Sequence, residues 1–256
     1  MFCPKCGNSL SDTAMFCSNC GHKFEKSGKK QIMSPKKKKI VISALVCLCV
    51  LILVYFSLVH ILQSKWNYAV IDGKAIIYGY NGNESEIVIP KTLKSGWFSY
   101  DVGRIDNSAF SGCDSLTSIE IPDSVTEIGD EAFGECTSLT SIEIPDSVTE
   151  IGAGAFCQCD SLTSIEIPDS VTEIGDEAFL GCDSLTSVEI PDSVTQIGTR
   201  AFKGCTSLTS IEIPDSVTSI GENAFVGCSS LRTIEIPKGL TIDNSGIPKG
   251  CKVIRR

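Results

Sequence analysis

LTSIEIPDSVTEIGDEAFGECTS, Leu116 to Ser138, reads as one turn of a coil. Its opening L-x-x-I-x-I alternates, so Ile119 and Ile121 face one way and Ser118 and Glu120 the other, the pattern of a half-buried strand. Pro122 has no N–H for a ladder and ends the strand, and Asp123-Ser124 supplies turn chemistry. Val125 to Ile128 is a second short extended piece with Val125 and Ile128 inward, broken by Gly129. Ala132 and Phe133 are expected to begin a single helical or 3₁₀ turn that carries the ring under the arch, and Cys136 closes the coil. The phrase then recurs strictly. Leu116, Leu139, Leu162, Leu185, Leu208 and Leu231 are each 23 residues apart, and self-similarity at this period is the signature of a solenoid. The expected fold is mainly β.

Repetition makes columns. Phe110, Phe133, Phe156, Phe179, Phe202 and Phe225 form one; Cys113, Cys136, Cys159, Cys182, Cys205, Cys228 and Cys251 form another. A Cys recurring once per turn is a small apolar plug, and translation gives every copy one environment, which favours buried free thiols over disulfides between coils. Cys157 stands outside the column. Glu120, Glu143, Glu166, Glu189, Glu212 and Glu235 form the outward middle of each strand, spaced about 4.8 Å apart on the sheet face. Neighbouring carboxylates at about 5 Å repel by only about 0.8 kcal/mol in water, so the stripe is affordable either as a solvated face or as a seat for a basic partner or divalent cations.

With I-x-I-P, S-V-T-x-I-G, A-F and G-C recurring in this order, residues 66 to 256 resemble the BspA-like class of leucine-rich repeats. The resemblance implies a surface protein used in adhesion or host-protein binding. Tyr68 to Tyr80, YAVIDGKAIIYGY, is similar to the entry cap of such proteins, and its Asp72-Gly73 is a type I′ hairpin signal. Ile87 and Ile89 before Pro90 read as a first, atypical strand. Trp97, Phe98 and Tyr100 follow in an overlong connector and are expected to pack over the open end of the core, a binding role being the alternative. At the far end Cys251 and Ile254 keep the Cys and Leu registers, while Asp243 and Pro248 depart from the pattern, as a terminal cap requires.

Upstream the chain changes character. Ile40 to Leu62 carries no Asp, Glu, Lys or Arg, and 23 residues at about 1.5 Å each span about 34 Å, enough for a bilayer core. It is expected to be a single transmembrane helix, with Cys47 and Cys49 as apolar members. Lys36 to Lys39 precede it and only Lys65 follows within ten residues, so the N-terminus is expected in the cytoplasm and the repeats outside, with Trp66 and Tyr68 near the outer interface. A cleaved signal peptide is the rival, disfavoured because no small-residue cleavage site follows.

The head holds CPKCG at Cys3 to Gly7 and CSNCG at Cys17 to Gly21. Two C-x-x-C knuckles supply four sulfurs, Cys3, Cys6, Cys17 and Cys20, for one closed tetrahedral Zn²⁺ site of structural type, and the Gly after each second Cys permits the turn. Residues 1 to 24 resemble the small zinc-ribbon family found at the N-termini of bacterial membrane proteins. His22 is expected toward solvent, outside the metal shell. The resulting division is a ribbon at 1–25, a basic linker at 26–39, the membrane segment at 40–62, a solenoid cap at 66–104 and repeats with a C-terminal cap at 105–256.

Charge partitions with these parts. Residues 1–39 hold nine Lys against Asp12 and Glu25, whereas residues 66–256 hold twelve Lys and Arg against twenty-nine acids. So acidic a body repels phosphates, and the Lys run is explained by membrane topology, so nucleic-acid binding is not expected. His22 and His60 are the only histidines and no Gly-rich phosphate loop is present, so neither an enzyme nor a small-molecule substrate is expected. The expected function is a membrane-anchored cell-surface module for a protein or glycan ligand. The alternative is a transmembrane sensor or assembly factor whose cytoplasmic ribbon contacts another protein.

Overall fold

Each 23-residue phrase makes one coil in the computed structural model, which describes residues 2–11, 15–23, 51, 65–242 and 246–256. The chain divides into two compact units, Met1–Phe56 and Ser57–Arg256. The second opens with a hairpin of β1 (Trp66–Ile71) and β2 (Lys74–Tyr80), followed by β3 (Glu86–Val88), β4 (Thr92–Ser95) and β5 (Phe98–Ile105). Two strands per coil then alternate: β6 (Ser118–Glu120) and β7 (Glu127–Ile128), β8 (Ser141–Glu143) and β9 (Glu150–Ile151), β10 (Ser164–Glu166) and β11 (Glu173–Ile174). The series ends with β12 (Ser187–Glu189) and β13 (Gln196–Ile197), β14 (Ser210–Glu212) and β15 (Ser219–Ile220), then β16 (Thr233–Ile236) and β17 (Lys252–Arg255).

One side of the coil stacks β5, β7, β9, β11, β13 and β15 in parallel, with Ile128 opposite Ile151 and Ile174 opposite Ile197. The other side carries the Ser-Ile-Glu strands, and it is not the uninterrupted ladder the period implies. It breaks into β3-β6-β8, β10-β12 and β14-β16-β17. At the breaks the joining bonds stretch to 3.4 Å, from Thr163 N–H to Thr140 O and from Thr209 N–H to Thr186 O, against 3.0 Å from Thr140 to Thr117. Three-residue strands followed at once by Ile-Pro have few ladder bonds to resist such stretching.

Between the two sides lies one apolar core. Ile119, Ile121, Val125, Ile128, Phe133, Cys136 and Leu139 are buried, and the same positions are buried in the following coils except at Ile220, which is partly buried. The six Phe rings form a continuous stack, with centroids 5.1 to 5.8 Å apart and planes within 11° of parallel. Translation enforces this geometry, and the spacing falls in the favourable range for offset rings. Val125 N–H donates to Pro122 O at 3.0 Å, closing the turn read at Asp123-Ser124.

The segment around Ala132-Phe133 is not a helical turn. Glu131 and Glu135 hold positive φ, 51° and 60°, which breaks any helical run. Alternate amides instead reach the next coil: Glu131, Phe133 and Glu135 N–H donate to Ala153, Ala155 and Cys157 O at 2.7 to 2.8 Å. The backbone here serves stacking between coils. At the second left-handed position four coils place Gly112, Gly181, Gly204 and Gly227, with φ from 70° to 81°, where two place the exposed Glu135 and Gln158. Glu135→Gly and Gln158→Gly should therefore each raise stability by about 0.5–1 kcal/mol, removing left-handed strain at some entropic cost. Thermal denaturation checks this; a fall would mean those side chains hold the turn.

Both ends are sealed, though not as expected. Trp66 and Tyr80 close the Phe stack, with Trp66 4.9 Å from Tyr80 and 6.1 Å from Phe110, and Tyr80 5.6 Å from Phe110. Trp66 is half-buried in that lid. Trp97 and Phe98, expected to cover the core, are 96% and 68% exposed. They lie at the tip of a hairpin in which β4 pairs antiparallel with β5, and Leu93 and Val102 bury its root. The Asp72-Gly73 turn is as read, with φ of 50° and 77°. At the C-terminal end β17 pairs with β16 so that Ile254 lies opposite Glu235, 19 residues on. The final coil is thus four residues short and Ile254 leaves the Leu column. Asp243 lies outside the described residues.

Candidate metal centre and binding groove

In the first unit two tight loops face each other. Gly7 and Gly21 stand at φ of 71° and 69°, and each donates its N–H to the first Cys of its own knuckle, Cys3 at 2.9 Å and Cys17 at 2.8 Å. Cys3 and Cys17 N–H close each loop on Asn8 O and His22 O at 2.9 Å. The sulfurs of Cys3, Cys6, Cys17 and Cys20 all lie within 4.8 Å of one another, the nearest pairs at 3.6 Å (Cys3–Cys20) and 3.5 Å (Cys6–Cys17). A tetrahedron of sulfurs at about 2.3 Å from Zn²⁺ has edges of about 3.8 Å, so the donor set fits that ion. His22 is half-buried, not turned to solvent, and is outside this cluster.

Among the first unit's described residues 2–23 only Cys3 and Cys17 are buried, while Phe2, Met15 and Phe16 are exposed. The N–H of Asn8, then the thiol of Cys20, pull Cys6 down to about 6. Cys20 is pushed up to about 12: the His22 N–H opposes this, but burial and bonds to Cys6, Cys3 and Cys17 outweigh it. Sulfurs crowded this closely share one preferred proton arrangement, which a divalent cation would replace with four thiolates.

The Cys column offers no second centre. Cys136, Cys159, Cys182, Cys205 and Cys228 are buried free thiols, each donating to the carbonyl of the Phe 26 residues earlier at 3.0 to 3.2 Å. Burial pushes Cys136 and Cys228 up to about 12 and raises Cys159, Cys182 and Cys205 as well. Such thiols stay protonated at neutral pH and are neither nucleophiles nor metal ligands. Cys157, outside the column, is half-exposed and raised by burial, then by Glu131.

The Glu stripe is where alternation places it. Glu120, Glu143, Glu166, Glu189 and Glu212 are exposed and Glu235 is half-exposed, with Glu120 opposite Glu143, Glu166 opposite Glu189 and Glu212 opposite Glu235. A second acidic row, missed as a site, faces it across the prolines: the Asp of each I-P-D-S phrase, legible only as turn chemistry. The two rows wall a groove. One stretch of about 1050 Å³ lies among Glu166, Glu189, Glu212, Asp169, Asp192 and Asp215; another of about 450 Å³ lies among Glu120, Glu143, Asp123 and Asp146. Arg256 closes the larger stretch, bonded to Glu212 at 3.0 Å and to Ile213 O at 3.0 Å. No aromatic or His side chain lines either stretch.

Stacked parallel coils with Ile-Glu-Ile strands and a Phe-Cys spine define a leucine-rich-repeat solenoid. The chain belongs to the family of the BspA type leucine rich repeat region, matched in six copies over residues 80–209 and 149–255. Residues 2–24 match the zinc-ribbon domain. A leucine rich cell surface protein from Faecalibacterium prausnitzii is similar at 40% identity and a TM-score of 0.54, over 66% of this chain and 52% of its own, so this chain spans about half of it. The T. pallidum leucine rich repeat protein is similar at 32% identity and a TM-score of 0.58, over 66% of this chain and 88% of its own. No curated protein matches the chain. No catalytic family is among these matches. Among the described residues no helix is long and apolar enough to cross a membrane, and of residues 40–62 only Leu51 is described.

Proposed function

We propose that the chain is a cell-surface binding module, anchored by residues 40–62 with the ribbon inside and the solenoid outside, whose groove takes a protein partner rich in Lys or Arg. The groove carries this reading. Two facing rows of carboxylates with rigid prolines between them focus a negative field along one line, and such a field selects basic partners and speeds their approach. A glycan would seek aromatic platforms, which the groove lacks. The description of the F. prausnitzii relative as a cell surface protein agrees with display outside the cell.

A Lys-rich peptide tests the groove. Replacing Glu143, Glu166 and Glu189 together by Gln should leave the melting temperature unchanged or slightly raised, since repelling neighbours are removed. At about 0.5 kcal/mol per exposed pair, capture at low salt should weaken about tenfold, and its salt dependence should flatten. Equal capture by the variant at low salt would reduce the stripe to a solvated face.

The four-sulfur cluster favours a second reading, in which a folded ribbon reports to a cytoplasmic protein. Deleting residues 1–24 separates the two: a display module still reaches the surface and binds, whereas a sensor loses its output.

A further inference from the structure

The second unit has two surfaces of opposite character. Among its described residues every exposed large apolar side chain lies between Val70 and Phe98, in the cap. Residues 65–104 carry Lys65, Lys74, Lys91, Lys94 and Arg104 against Asp72, Glu84, Glu86 and Asp101, nearly balanced, whereas residues 105–256 carry eight basic side chains against twenty-five acids. The repeats are thus polar and strongly negative. The cap is close to neutral and wears Val70, Ile71, Trp97 and Phe98 on its surface.

The hairpin that bears the last two has no packing role at its tip. In β5 the residues from Val102 onward pair with β2, while Phe98 to Asp101 run on past the start of β2 and pair only with β4. Tyr100 still packs against the core, so the exposed part is the tip itself. Gly96 at φ 62° makes the turn, Trp97 stands at the tip almost wholly exposed, and Lys94 is exposed beside it. The Tyr68 hydroxyl donates to Lys94 O and braces the hairpin against β1. A Trp-Phe tip flanked by Lys is the composition that settles at the boundary between headgroups and acyl chains.

We propose that the tip of the β4–β5 hairpin seats in the interfacial layer of the bilayer that carries the chain. This rests on the reading of residues 40–62 as a membrane span. Only Gln63, Ser64 and Lys65 lie between that segment and Trp66, a reach of at most about 14 Å, so the cap is the part of the solenoid held at the membrane. Charge acts in the same sense. Anionic headgroups tolerate the balanced cap with its Lys and repel the acidic coils, so a seated hairpin holds the groove away from the lipid.

The chain has two tryptophans, Trp66 and Trp97, which allows a direct reading in full-length protein reconstituted into phosphatidylcholine–phosphatidylglycerol vesicles. Lipids brominated near the headgroup end should quench the emission of the parent, and the difference between parent and Trp97→Phe should show Trp97 as a blue-shifted, quenched component. Because Trp97 is exposed, Trp97→Phe should fold as the parent does. Protein that resists alkaline extraction but whose Trp97 component is red-shifted and quenched only by aqueous acrylamide overturns the inference while leaving the span intact. A blue-shifted Trp97 that brominated lipid does not quench, and that shifts red on dilution, also overturns it and assigns the patch to a second copy. Protein washed off by alkali overturns the span and the inference with it.

Discussion

A full-length Cys17→Ser variant is expected to lose its zinc and the fold of residues 2–23, while the solenoid melts as before. Among the described residues of 2–23 there is no apolar core to fall back on, since the only buried ones are Cys3 and Cys17 themselves. Zinc-finger peptides draw about 10–16 kcal/mol from a complete shell at neutral pH, which is folding free energy because the unfolded chain has no site. Three sulfurs and a hydroxyl would leave the loops at Gly7 and Gly21 without the ion that joins them. Zinc content, expected at one per parent chain, and amide chemical-shift dispersion of the ribbon are the measurements. Full occupancy with dispersion retained in Cys17→Ser would reject the assignment of Cys3, Cys6, Cys17 and Cys20 as the ligand set.

Gly175→Ala should strongly destabilise the solenoid. A Cβ at Gly175 would stand 2.8 Å from C and O of Gly152 and 2.9 Å from N of Ala153, all backbone atoms of the preceding coil. The same close approach recurs at Gly129, Gly152, Gly198 and Gly221, so this column of glycines sets how near the coils lie. Backbone cannot swing aside as a side chain does, and moving one coil would open the Phe stack, 5.6 Å from Phe156 to Phe179 and 5.3 Å from Phe179 to Phe202. The expected loss is about 3 kcal/mol or more, a fall of about 10 °C in melting temperature for a unit this size. Gly239→Ala, where an added Cβ meets nothing within 4 Å, is the control and should be near neutral. Equal melting of the two variants would mean that the coils are not held apart by this backbone contact.

The repeat was legible because its information is periodic. Alternation in Ser118 to Ile121 gave the inward Ile pair, and a 23-residue spacing stacked Phe and Cys into columns that the core reproduces. The clustering of Cys3, Cys6, Cys17 and Cys20 was legible because each knuckle is local. What the sequence hid was set by contacts between coils. Helical character at Ala132-Phe133 was a fair reading of one coil, but the amides there bond to the next coil, and left-handed Glu131 follows from that demand. Of Trp97, Phe98 and Tyr100, expected over the open end of the core, only Tyr100 packs against it, and Trp66 and Tyr80 form the lid because the β1–β2 hairpin lies directly against the first Phe. The groove was half seen. Asp123 and its repeats had an adequate local role as turn residues, and only the fold sets them opposite the Glu row. Arg256 joins Glu212 across 44 residues, a contact no local pattern could announce.

Display of the solenoid on the outer face is the central claim, and protease added to intact cells tests it most directly. With epitopes placed before residue 39 and after residue 66, external protease should remove the second and spare the first, as the Lys run ahead of an apolar segment dictates. Loss of the N-terminal epitope with the repeats protected would contradict the account.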